Sequence, residues 1–335
     1  MACPLSYILF FFTLLLSITI SISSPSWFSI WVGLELNMIS FIPLITIKMN
    51  YFFSESALKY FLIQALGSTL FIFSSSMLLS FPKLSLPLLL SSLFLKLGSA
   101  PFHFWFPQVM SGLTWPQSII LMTFQKIPPM ILISYISIFS SLTQIIILSA
   151  ILSAIIGALG GFNTMQLRKI MAFSSINHMS WMLISMSIND AFWVIYFMFY
   201  SFISSSIMIL FNMYQTFTLS SLMKFNQPIT MNSLLIPLNL LSLGGLPPFA
   251  GFIPKWMLIQ LMTNNKLFFP LIILLSSTLV TLYFYLRITI FFLLLTNPSM
   301  TIYSKSNSTS FTLSSNLFMF FNLFMFCFPL TFLLF

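Results

Sequence analysis

Apolar residues occupy this chain in blocks of about twenty, parted by short turns rich in Ser, Pro, Asn and Lys. A block that long crosses the hydrocarbon core of a bilayer as one helix. The strands of a membrane barrel would instead show short segments of alternating polarity. The pattern therefore predicts an all-α integral membrane protein of about eleven transmembrane helices. The predicted spans are 5–22, 27–47, 57–79, 84–110, 113–138, 144–162, 169–188, 191–218, 231–261, 267–295 and 311–335. The connections are short, so the whole chain, 1–335, reads as a single transmembrane domain, and 304–310 as its one low-complexity linker.

Two of these blocks are interrupted. The fourth contains Gly98-Ser99-Ala100-Pro101-Phe102-His103-Phe104-Trp105-Phe106-Pro107, and the ninth contains Gly244-Gly245-Leu246-Pro247-Pro248-Phe249-Ala250-Gly251. Proline inside a helix removes a backbone bond and clashes with the preceding turn. Irregular backbone at membrane depth is tolerated only when buried in protein or lining a wet cavity. Two of the spans are thus expected to be discontinuous, with half-helix ends turned towards the bilayer centre, as at ion sites of transporters.

The polar positions fall in the same places. Glu35, Lys96 and Lys126 lie near the centres of their blocks, and Lys255 directly follows the second break. A charge in hydrocarbon costs from roughly 3 to more than 10 kcal/mol. Both breaks stand beside a lysine. Lys59 and His178 lie nearer span ends, and His103 sits within the first break. These residues predict a polar line at mid-membrane depth.

Composition agrees with this picture. Hydrophobic residues make up 59% and charged residues 4% of the chain, against about a quarter charged in soluble domains. The 12 basic residues outnumber the acids, which are Glu35, Glu55 and Asp190. No basic cluster is dense enough for nucleic acid; the expected surroundings are membrane lipid and other membrane chains. Cys3 and Cys327 lie near opposite ends and offer neither a disulfide framework nor paired metal-ligand spacing. The first block lacks a preceding Lys or Arg, so it reads as a span and not as a signal peptide. With the N-terminus on one side, loops on that side carry Lys48, Arg168, Lys169, Lys224 and Lys305, against Lys83 and Lys266 opposite. That bias places the N-terminus in the compartment of synthesis. With an odd number of spans, the C-terminus lies opposite.

Proton transfer is the chemistry such a line can perform. A buried lysine's hold on its proton depends on whether a carboxylate stands nearby. A Glu35–lysine contact that forms and breaks could therefore move a proton. Lys59, His103 and His178 are candidate relays, histidine being the side chain that titrates nearest neutral pH. Structural readings stand beside these. Glu35 and a lysine could fix helix register as an ion pair, Lys59 could snorkel to the interface, and the histidines could be hydrogen-bonded packing groups. Trp105, Trp115, Trp181 and Trp256 read as packing or interface residues, and Asp190 as a helix cap. The chain shows no phosphate-binding glycine loop, no Cys cluster and no pair of haem ligands, so no redox or nucleotide cofactor is expected on it. Any pumping would draw its energy from partner subunits.

Phe94-Leu95-Lys96-Leu97-Gly98-Ser99-Ala100-Pro101-Phe102-His103-Phe104-Trp105-Phe106-Pro107 resembles the lysine–PFHxWxP signature of the antiporter-like subunits of respiratory complex I. The stretch from Gln166 to His178 is similar to their RKxxAYSSIxH motif, with Phe173 for the usual Tyr. The stretches 54–65 and 244–256, the latter reading GGLPPFxGFxPKW, extend the resemblance to about residue 290. The last forty or so residues carry no motif that aligns.

The resemblance implies a discontinuous-helix bundle and a proton-translocating subunit of the membrane arm of an H+-translocating NADH:ubiquinone reductase. Animal members of one branch lack the first helices of the family fold, in keeping with the span count here. The resemblance also implies a Glu35–Lys96 pair, Lys126 as central relay and Lys255 as terminal lysine. Partners would be other complex I subunits, including sister antiporter-like subunits. NADH, FMN, iron–sulfur clusters and ubiquinone would belong to the assembled complex. The location would be the mitochondrial inner membrane, with the N-terminus in the matrix and the C-terminus on the intermembrane-space side. A free-standing cation/proton antiporter of related fold is the alternative.

Overall fold

The computed structural model describes residues 5–46, 50–223, 231–247 and 249–295. The predicted span 311–335, the linker 304–310, and Lys48, Lys224, Lys305, Pro248, Cys3 and Cys327 lie outside the described residues. Helices dominate; among the described residues, strand-like pairing is limited to the isolated bridge Gln166–Thr218.

The first three helices follow the apolar blocks: α1 (Leu5–Ser23), α2 (Trp27–Ile45) and α3 (Tyr51–Ser76). Ser26 starts α2 by accepting from the Ser29 backbone N–H at 3.2 Å, satisfying a donor that the helix leaves free. Gly33 of α2 lets α1 approach closely, since a Cβ there would lie 2.8 Å from the Ser21 nitrogen. The fourth block divides into α4 (Pro82–Leu97) and α5 (Trp105–Gly112). The fifth, expected as one helix, is α6 (Trp115–Met122), a 3-10 turn over Phe124–Lys126, and α7 (Ile127–Ile136). Pro128 and Pro129 explain that turn: each lacks an N–H for the carbonyl four residues earlier, though both fit the first turn of a new helix.

The remaining described elements are α8 (Ser140–Phe162), α9 (Leu167–Ile188), α10 (Asp190–Met213), α11 (Leu219–Met223), α12 (Met231–Gly244), α13 (Phe252–Asn264) and α14 (Phe268–Leu295). Asn189, and not Asp190, caps α10: its side chain accepts from the Ala191 N–H at 3.1 Å, and Asp190 already lies in the first helical turn. The asparagine wins because it holds the extended backbone that capping requires.

Every residue of α9 from Ser174 to Met186 is buried, so this is the central helix. It packs most extensively on α8, where Gly157 meets the Asn177 backbone. Helices α5, α10, α13 and α14 also touch it. Seven described segments are long and apolar enough to cross a membrane, the 115–136 segment counting as one despite its turn. Their outward faces carry Leu5, Phe12, Leu62, Leu159 and Leu279, all exposed. An apolar exterior of this extent suits lipid or partner helices, not water.

Candidate functional site

Three buried lysines lie along the interior, each placed by a departure from regular helix. Lys96 occupies the last turn of α4 and is buried. Gly98 ends that helix at φ 70°, a left-handed conformation that glycine adopts freely. Its N–H and that of Ser99 return to Leu95 and Phe94 carbonyls, which completes the helix end. Trp105, the first residue of α5, folds back and donates its indole N–H to the Leu95 carbonyl at 3.1 Å. The Lys96 stem runs over Gly67 of α3, where a Cβ would stand 3.1 Å from Lys96 Cγ. Gln64 of α3 donates to the Lys96 carbonyl at 3.3 Å.

Glu35 on α2 is half-buried. It makes no ion pair with Lys96 within 4 Å. Among the described residues, the ion pair at that range joins Lys59 to Glu55 at 2.6 Å, one helical turn apart, with both side chains about 40% exposed (41% and 42%). Lys59 therefore stands at the rim of the bundle, held by a neighbour on its own helix.

Lys126 closes the 3-10 turn between α6 and α7 and is 2% exposed. Its Nζ makes no hydrogen bond to a described residue. It lies over two aromatic rings instead, 5.1 Å from the centroid of Phe106 and 5.3 Å from that of Tyr200. Ring faces attract a cation but take no fixed proton from it.

His178 on α9 neighbours Tyr200, whose ring Lys126 also meets, and shares a cleft with Pro254, the residue before Lys255. Its Nδ1 is hydrogen-bonded to the Tyr196 hydroxyl at 2.9 Å, and its ring lies 5.1 Å from that of Tyr200. A small cleft opens beside it, lined by Tyr196, Tyr200, Ser242, Gly251 and Pro254. Those last two residues lead directly to Lys255.

Lys255 sits in the first turn of α13 and reaches back to the end of α12. Its Nζ donates to the carbonyls of Gly244 at 2.8 Å and Leu243 at 3.2 Å. A helix C-terminus presents such free carbonyls and a partial negative charge. Gly245, at φ 78°, passes so close that a Cβ there would lie 2.9 Å from Lys255 Nζ. A Cβ on Gly251 would run into the Ser242 carbonyl oxygen. His103 is buried, but its Nδ1 meets the Pro101 carbonyl at 3.3 Å and its ring lies on Phe104. These contacts stay within the 98–104 segment and do not join it to the lysines.

Uncharged polar groups, unmarked in the sequence, stand beside these lysines. Tyr60 of α3 donates to Gln125 Oε1 at 3.0 Å, and Gln125 Nε2 donates to Asn37 Oδ1 on α2 at 2.8 Å. Gln125 directly precedes Lys126, and Asn37 lies two residues beyond Glu35. Tyr196 was likewise unmarked. An uncharged polar residue inside an apolar block is the one signal that could have found them. Among the described residues, no group of three or more His, Cys, Asp or Glu side chains gathers as metal ligands would.

Comparison with known proteins adds an independent line. The family described as "NADH:quinone oxidoreductase/Mrp antiporter, TM" matches residues 24–85 and 83–282. NADH-ubiquinone oxidoreductase chain 2 of Anopheles gambiae is 46% identical over 289 residues, 84% of each chain. The chain 2 protein of Loxodonta africana is 36% identical over 321 residues, 92% of this chain and 90% of that one. A chain of respiratory complex I from Thermus thermophilus superposes with a TM-score of 0.85 at 21% identity, covering 98% of this chain and 79% of that one. A chain of the Mrp complex from a Dietzia species gives 0.80 at 12% identity, covering 97% and 75%. These two likenesses concern fold alone.

Proposed function

The chain belongs to the NADH:quinone oxidoreductase/Mrp antiporter family, among the NADH-ubiquinone oxidoreductase chain 2 proteins, and from that membership we propose that it is a core membrane-arm subunit of mitochondrial respiratory complex I. It contributes a proton-translocation path coupled to electron transfer from NADH to ubiquinone. The relatives that are more than a third identical carry the name NADH-ubiquinone oxidoreductase chain 2. The antiporter alternative shares the fold.

On this reading, α4 with α5 and α12 with α13 are two discontinuous spans of an eleven-span bundle. Protons pass between Lys96, Lys126, His178 and Lys255, with Glu35 biasing the first station. Lys59, at the rim beside Glu55, and His103, bonded within the 98–104 segment, stand outside this path. FMN and iron–sulfur clusters reside in partner subunits, and sister antiporter-like subunits flank this one in the inner membrane. The N-terminus faces the matrix and the C-terminus the intermembrane space.

The observation that carries the reading is Lys126: a buried amine with no hydrogen-bond partner among the described residues, in a helix break, with Tyr200 beside it and His178 against that same ring. A purely structural lysine would be expected to hold a carboxylate or a carbonyl, since a buried charge left unpaired is costly. Lys126→Met, close in length but without a proton to give, is expected to assemble yet to move fewer protons per NADH oxidised. Proton yield measured in reconstituted vesicles tests this, and an unchanged yield in the assembled complex would overturn it.

A further inference from the structure

We propose that Gln125 is a positioning residue whose side chain ties the turn carrying Lys126 to the Glu35–Lys96 station, so that a change at that station is felt at Lys126. The proposal rests on the proton-path reading above.

Its basis is the way the turn is held. Between Met122 and Ile127 the regular helix ladder lapses. Thr123 adopts φ −114°, ψ −79°. Its N–H and hydroxyl both return to the Ile119 carbonyl, and Lys126 N–H returns to the Thr123 carbonyl at 3.1 Å. Pro128 and Pro129 supply no N–H to the carbonyls of Phe124 and Gln125. Lys126 Nζ anchors nothing by hydrogen bonding. The polar contact of this turn with neighbouring helices is therefore the Gln125 amide, which accepts from Tyr60 on α3 and donates to Asn37 on α2.

The Tyr60 side leads to the first station. Tyr60 lies one turn of α3 from Gln64, which donates to the Lys96 carbonyl at 3.3 Å. Asn37 shares α2 with Glu35 and is 4% exposed. Helix α3 also carries Gly67 and Gln64, the residues on which Lys96 rests. A shift of α3 that accompanies a proton change at Lys96 would draw on the Tyr60–Gln125 bond. An amide does not pass protons along as water or imidazole does, so the tether transmits position and not charge.

The test uses the assembled complex in proteoliposomes, with protons moved per NADH oxidised as the readout. Gln125→Leu fills similar space without polar atoms, and Tyr60→Phe removes one hydroxyl. Each is expected to lower proton yield per NADH while leaving the KM for NADH unchanged. Losing one hydrogen bond shifts an equilibrium by about fivefold, so a clear loss is expected from either variant. The double variant is expected to be no worse than Gln125→Leu alone, because both act on one bond.

A merely structural tether would lower the amount of complex but not the yield per complex. If Gln125→Leu fails to assemble, Tyr60→Phe alone decides. Unchanged yield in the variants that assemble, or losses that simply add in the double variant, would overturn the proposal. Lys126→Met in the same vesicles separates the two readings. If it too leaves the yield unchanged, the proton path itself is wrong. If it alone lowers the yield, only the tether is.

Discussion

Gly245 and Lys255 hold one another in place. The glycine's positive φ is costly for any side chain, and a Cβ would also strike Lys255 Cδ at 2.7 Å. Gly245→Ala is expected to destabilise the subunit by about 1–3 kcal/mol and to push Lys255 off the α12 carbonyls. Proton yield and thermal stability of the assembled complex check this. Gly244→Ala is the control: its Cβ would make ordinary contact with Leu282 at 3.7 Å, so little change is expected. At this scale the sequence spoke clearly about charge and poorly about neutral polar groups. Lys96, Lys126 and Lys255 were legible because lipid tolerates so few cations. Asn37, Tyr60 and Gln125 were not, because many buried polar residues do no more than bond their own helix. Ser149 and Ser153 do so, each donating to a carbonyl three residues earlier.

Helix ends set the depth of each station. The return of Trp105 to the Leu95 carbonyl fixes the start of α5 to the finish of α4. Trp105→Phe keeps the ring but removes that bond, and is expected to cost about 1 kcal/mol, read as a lower melting temperature of the complex. An unaltered melting temperature would mean that the break is held by the left-handed Gly98 turn alone. The ends near 98 and 245 could be read in advance, since glycine and proline punctuate backbone in a known way. The turn at Phe124–Lys126 was harder. Two prolines at a helix start are compatible with an unbroken span, and hydrophobic periodicity carries no trace of a three-residue change in pitch. Phe173, standing where the family's usual residue is Tyr, packs its ring on Gly160. No described bond depends on a hydroxyl there.

At the scale of the molecule, a multi-pass bundle with so apolar an exterior belongs in a membrane. Leu5, Leu79 and Ile138 are exposed at 83%, 98% and 80%, values that water would penalise. Gently solubilised, the protein is expected to migrate with a megadalton-scale assembly that oxidises NADH. Recovery only as a small homo-oligomer would contradict membership of that assembly. The membrane class was plain from the apolar blocks alone. Sidedness rests on basic residues in loops and at helix starts, and three of the seven, Lys48, Lys224 and Lys305, lie outside the described residues.

On the proposed proton path, the grip of Lys255 on α12 bears on where a proton carried by Lys255 would go. An ammonium has three hydrogens, and two are engaged with the Gly244 and Leu243 oxygens. Only the third can depart without loosening that grip. The neutral amine left behind would keep both anchors and turn its lone pair into the vacated direction. The helix terminus would thus act as a ratchet pawl for orientation, giving the amine a single gate through which to discharge and reload.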